Sequence, residues 1–91
     1  MSNIVEENNM IAFHPGSYLE DILIEDNLTV EEFSKKSGID IDTVTNLLSG
    51  TISVDKELAY KLDPSTSIDS QTWINLQKTY DKIITSIKKQ G

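Results

Sequence analysis

The sequence contains no cysteine and no arginine, one histidine and one tryptophan. Without cysteine there is no disulfide framework, no thiolate zinc site and no cysteine nucleophile. With His14 the lone histidine, a multi-histidine metal site is excluded as well. Without arginine the planar fork that grips carboxylate, phosphate or guanine is missing. No apolar run approaches the roughly 20 residues that cross a bilayer. The first ten residues carry Glu6 and Glu7 and lack both a basic start and an apolar stretch, so no signal peptide is expected. A soluble, cytoplasmic protein is the expectation. Glycine-rich phosphate loops, nucleophile motifs and metal-ligand spacings are also missing. The acid pairs Glu20–Asp21, Glu25–Asp26 and Glu31–Glu32 are sequence neighbours that point to different sides of a helix, so they read as solvated surface. Neither an enzyme nor a cofactor is expected.

What is present suits one compact domain. The chain has 91 residues, 37 % apolar and 25 % charged, which is enough for one modest core and too little for two. Eight lysines against fifteen acids give a net charge of −7. The imbalance sits in the first half, where Lys35 and Lys36 face ten acids, whereas residues 46–91 are nearly neutral. An acidic chain is a poor electrostatic partner for nucleic acid, whose binding draws on phosphate neutralisation.

Residues 1–12 show no clear period and read as a flexible N-terminal arm, followed by a single domain over 13–91. Pro15 suits the first turn of a helix, and Leu19, Ile22 and Leu23 then recur at helical spacing until Asn27, a plausible left-handed stop. Thr29 and Glu32 form a capping box for a second, short helix that buries Val30 and Phe33 and ends at Gly38. Asp40 caps a third, with Ile41, Val44, Leu47 and Leu48 on one stripe and Gly50 as its stop. Asp55 caps a fourth carrying Leu58, Ala59 and Leu62. Pro64 is expected to end it, leaving 64–70 as a polar loop. Asp69 caps the last helix, whose stripe is Trp73, Leu76, Tyr80, Ile83, Ile84 and Ile87. The spacing thus predicts five helices and no strand. Trp73, Leu76, Tyr80, Ile84 and Ile87 are candidates for core or for a dimer interface, because a small bundle seldom covers so long a helix.

The second and third helices, short and joined across Gly38, have the spacing of a helix-turn-helix. Three motifs carry a closer likeness. The run Phe13-His14-Pro15-Gly16-Ser17-Tyr18-Leu19 resembles the HPGE-x-L opening of HigA-type (VapI-like) antitoxins. The stretch from Leu28-Thr29-Val30-Glu31-Glu32-Phe33 to Leu47-Leu48-Ser49-Gly50 resembles their helix-turn-helix. The run Trp73-Ile74-Asn75-Leu76-Gln77-Lys78-Thr79-Tyr80-Asp81 resembles W-x-N-L-Q-x-x-Y-D. All three occur in order over residues 13–81.

That resemblance implies an all-α, lambda-repressor-like fold of the XRE-like regulators. It also implies an antitoxin that represses its own operon and binds a RelE-like ribonuclease toxin. A homodimer is implied too, placing two recognition helices in successive major grooves of operator DNA, about 34–36 Å apart. Carried over by position, Ile41, Asp42, Thr43, Thr45 and Asn46 face the groove. Thr29, Lys36, Ser49 and Thr51 flank it as backbone contacts. This sequence departs from the family at its most basic stretch, since Thr51-Ile52-Ser53 replaces a Lys/Arg-rich segment and the recognition helix carries Asp42 and no cation. The alternative is a protein-interaction module of the same fold with most DNA affinity lost.

Overall fold

The computed structural model describes residues 4–7 and 10–90, with side chains from 13 to 88. Five helices follow one another: α1 (Pro15–Glu25), α2 (Val30–Ser37), α3 (Ile41–Ser49), α4 (Lys56–Ser65) and α5 (Ser70–Gln90). The all-α bundle expected from the spacing is present, with one addition. Residues 4–13 include two strands, β1 (Ile4–Glu7) and β2 (Met10–Phe13), paired antiparallel with Ile4 opposite Phe13 and Glu7 opposite Met10. The arm without strands is thereby corrected, and β2 lies along α5.

Local chemistry sets the helix ends. Thr29 and Glu32 exchange both capping-box bonds, at 3.1 and 2.9 Å. Asp40, Asp55 and Asp69 each accept from a backbone N–H three residues on. α1 closes on Asn27 at φ 54°, where Leu28 N–H reaches Leu23 O and Asn27 N–H reaches Ile24 O. These are the two bonds of a Schellman close, with Leu23 and Leu28 as its apolar pair. Gly38 and Gly50 end α2 and α3 in the same left-handed region, at φ 75° and 78°.

Pro64 does not end α4, which runs one residue past it. Near a C-terminus the missing N–H removes little, and hydroxyls take up the carbonyls of that turn. Ser65 donates to Lys61 O at 2.9 Å and Thr66 donates to Leu62 O at 2.8 Å. Thr66 also receives the Trp73 indole N–H at 3.2 Å, which ties the α4–α5 turn to the core.

The core unites all five helices: Leu19 and Leu23 from α1, Phe33 from α2, Val44 and Leu47 from α3, Leu58, Ala59 and Leu62 from α4, and Trp73 from α5. Ile39 and Val54, in the connections, complete it. Among the described residues no buried side-chain polar atom lacks a partner. No described helix is long and apolar enough to cross a membrane.

Candidate nucleic-acid interface

Amphipathic spacing decides which face α3 offers. Val44 and Leu47 are buried, Leu48 is half-buried, and Ile41, Asp42, Thr45 and Asn46 are exposed. Ile41, expected on the inward stripe, is 48 % exposed because the helix begins at that residue, ahead of the core contact made by Val44. The exposed positions recur at intervals of four and form one continuous stripe. Ser49 extends it at half-exposure. Among the described residues the Thr45 hydroxyl and the Asn46 amide make no hydrogen bond within the protein, so both are available to an outside partner.

The remaining candidates divide. Thr43 is half-buried and its hydroxyl donates to Asp40 at 2.7 Å, committing it to the helix cap. Ser49 and Thr51 share two hydroxyl protons over three contacts, to each other at 3.1 Å and to Asn46 O at 3.0 and 3.1 Å. Thr29 is exposed and lines a cleft with Leu48, beside the end of α3. Lys36 lies elsewhere, in a groove with Glu25, Asp26 and the end of α4, and is not brought to the α3 stripe.

The electrostatics of both helix starts is set by their caps. Glu32 is held below the usual carboxylate range, first by the backbone N–H of Thr29 and then by its side chain. Asp40 is likewise lowered, first by the Thr43 hydroxyl and then by its backbone N–H. Each carboxylate therefore stays ionised and neutralises the positive helix end that would otherwise attract a phosphate. Asp42 adds an exposed acid in the first turn of α3.

Behind the stripe, α1 holds α3 and α5 holds the segment that follows it, both from outside the two-helix unit. Gly16 meets the last turn of α3 so closely that a Cβ there would lie 1.9 Å from Leu47 O. No side chain fits, which explains the glycine of the His14-Pro15-Gly16 run. His14 caps α1 through Nδ1, which accepts from Gly16 N–H at 2.9 Å. Its Nε2–H donates to Ile52 O, also at 2.9 Å, beyond α3. From α5, the buried Gln77 accepts Val54 N–H at 2.8 Å and donates to Asp81 at 2.9 Å. The Tyr80 ring packs against His14 edge-to-face, 5.0 Å between centroids. Burial pushes the His14 imidazole below its ordinary value, against smaller opposing effects of the Ile52 carbonyl and Asp81.

Trp73 is fully buried and Ile87 is 7 % exposed within one chain, whereas Ile84 is half-buried. Leu76 and Tyr80 line a groove with Phe13, Tyr18 and Ile83 that contains no acid and no lysine. Spacing alone starts the first helix at Pro15 and assigns neither His14 nor Gln77 a partner. Their long-range bonds join positions 38 and 23 residues apart.

A short capped helix, a glycine turn and a second capped helix with an exposed polar stripe define a helix-turn-helix protein. No family model matches the chain. The uncharacterised HTH-type transcriptional regulator YddM of Escherichia coli (strain K12) is 32 % identical over 66 residues, which cover 72 % of this chain and 70 % of that protein. The chain belongs to the HTH-type transcriptional regulators. An addiction-module antidote protein of the HigA family from Coxiella burnetii has the same fold, with 28 % identity, a TM-score of 0.77 and 84 % of each chain covered. Pseudomonas aeruginosa antitoxin HigA, solved with the higBA promoter, aligns at a TM-score of 0.78 over 84 % of each chain. At 21 % identity that likeness speaks for the fold alone.

Proposed function

We propose that this chain is a DNA-binding antitoxin that represses its own operon and neutralises a RelE-like ribonuclease toxin in the cytoplasm. The observation that carries the DNA half is the α3 stripe, where Thr45 and Asn46 present unpartnered polar groups. Asn can pair bidentately with adenine in the major groove, and Ile41 offers an apolar contact for a thymine methyl. Asp42 can accept from cytosine N4, and Thr29, Ser49 and Thr51 would flank the groove as phosphate contacts, the last two by turning their hydroxyls away from Asn46 O. Thr43 then acts through the Asp40 cap. A homodimer supplies the second recognition helix, and the uncharged groove of Phe13, Tyr18, Leu76, Tyr80 and Ile83 suits a second copy of an acidic chain.

With few cations near the stripe, the salt dependence of binding is expected to be shallow, since each neutralised phosphate adds about 0.9 to the logarithmic slope. The test is an anisotropy titration at about 0.1 M salt against the DNA upstream of the gene and a scrambled duplex. Preference for the upstream DNA supports the reading. Equal, weak binding to both counts against it.

A second reading, a protein-interaction module, is favoured by the carboxylates that neutralise both helix starts and by Asp42. It predicts a stable complex with the product of the neighbouring gene and no discrimination between the two duplexes.

A further inference from the structure

Building on the reading of α3 as the DNA-facing helix, we infer that His14 and Gln77 are positioning residues that clamp the segment 51–54 and so fix the C-terminal end of α3, and with it the pose of the whole helix. Three contacts from outside the helix-turn-helix converge within eight residues. Gly16 abuts Leu47 O, His14 Nε2–H holds Ile52 O, and Gln77 Oε1 holds Val54 N–H. Thr51 lies inside that span and donates through both N–H and hydroxyl to Asn46 O, on the exposed stripe. Loosening 52 or 54 therefore releases Thr51 and the last turn of α3 together. Gln77, Tyr80 and Asp81 stand at i, i+3 and i+4 on one face of α5, so the two halves of the clamp share a support.

The imidazole can act this way only when neutral. Gly16 N–H can only donate, so Nδ1 must accept, and a carbonyl can only accept, so Nε2 must carry the proton. A second proton on Nδ1 would oppose Gly16 N–H and break the cap. Of the groups around the ring, the Ile52 carbonyl and then Asp81 on α5 favour the cation, Tyr80 packs against it, and burial outweighs both. Acid is thus expected to break the cap on Gly16 N–H and turn the ring from its pose, which loosens the clamp indirectly although Nε2–H remains a donor to Ile52 O.

Two substitutions separate capping from clamping. His14→Asn retains an acceptor near the Nδ1 position and loses the reach to Ile52. Gln77→Leu keeps the bulk and removes the acceptor for Val54. Operator affinity and amide hydrogen exchange would be measured for wild type and both variants at about pH 7.5 and at a pH well below the ordinary histidine value, because burial holds the ring's own value lower. For wild type, affinity is expected to fall about fivefold to tenfold on acidification, the scale of one hydrogen bond, with faster exchange at 51–54 and unchanged exchange in α4. His14→Asn should show the weakened state at both pH values, and Gln77→Leu should weaken binding while retaining the pH dependence. Variants that bind as wild type and protect 51–54 equally well overturn the clamp. If wild type binds no operator yet loses protection at 51–54 in acid, the DNA reading falls and the clamp stands.

Discussion

The helix-turn-helix and the frame around it are built by different chemistry. In α2 and α3 nearly every structure-setting contact is local: a capping box, an aspartate cap and two left-handed glycines, each within a few residues of its partner. In the frame, single long-range contacts from α1 and α5 decide where the unit sits. The local half makes two helices, and the non-local half turns them into an oriented pair. Their failures should therefore differ in kind, as loss of fold on one side and loss of pose on the other.

Removing what both regions share has the largest effect. Phe33, fully buried, joins α2 to the common core. Phe33→Ala should cost about 3–5 kcal/mol, much of the stability of so small a domain, read as a large drop in thermal midpoint. Next come two glycines that contrast the regions. Gly16→Ala forces a methyl into Leu47 O, so a loss of about 1–3 kcal/mol is expected together with weakened operator binding. Gly38→Ala meets no atom within 4 Å and bears only the left-handed φ of 75°, so about 1 kcal/mol is expected. Equal losses in melting experiments would erase the distinction drawn here. Thr29→Ala, which removes the α2 cap, should cost about 1 kcal/mol and leave the pose of α3 intact.

The smallest effect is in pH. Unfolded His14 takes up a proton as pH falls below its ordinary 6.5, while the folded ring resists until a lower pH. Its contribution is whole above 6.5 and is lost as pH falls through the depressed folded value. The lowered carboxylates Glu32, Asp40 and Asp69 have the same sign. Their contribution is whole above ordinary values of 4.5, 3.8 and 3.8 and disappears below them. Melting temperature should thus decline in two stages on acidification, the first of which His14→Asn abolishes. A single stage in wild type would contradict the buried neutral ring.

The local half of the molecule was legible in the sequence, because caps and glycine stops act on their immediate neighbours. Thr29 with Glu32, Asp40, Asp55, Asp69, Gly38 and Gly50 all do what their positions suggest. The hairpin was missed although Asn8-Asn9, residue types favoured in tight turns, separates two apolar-containing runs, because four-residue strands are too short for a period. Pro64 misled because a proline in the last turn removes a single N–H, while the hydroxyls of Ser65 and Thr66 hold the neighbouring carbonyls of that turn. At the candidate site periodicity gave the inward Val44 and Leu47, and it was the resemblance that put Thr45 and Asn46 on the outward side. The diversion of Thr43 to Asp40 and of Lys36 to the far groove depended on rotation and packing that spacing alone does not encode.

Strand β2 ends at Phe13, and the next residue is the ring that bridges to Ile52. One peptide bond and one side-chain hydrogen bond thus connect the hairpin to the segment that follows α3. A shift of β2 would therefore be felt at once by the residue that both caps α1 and holds Ile52 O.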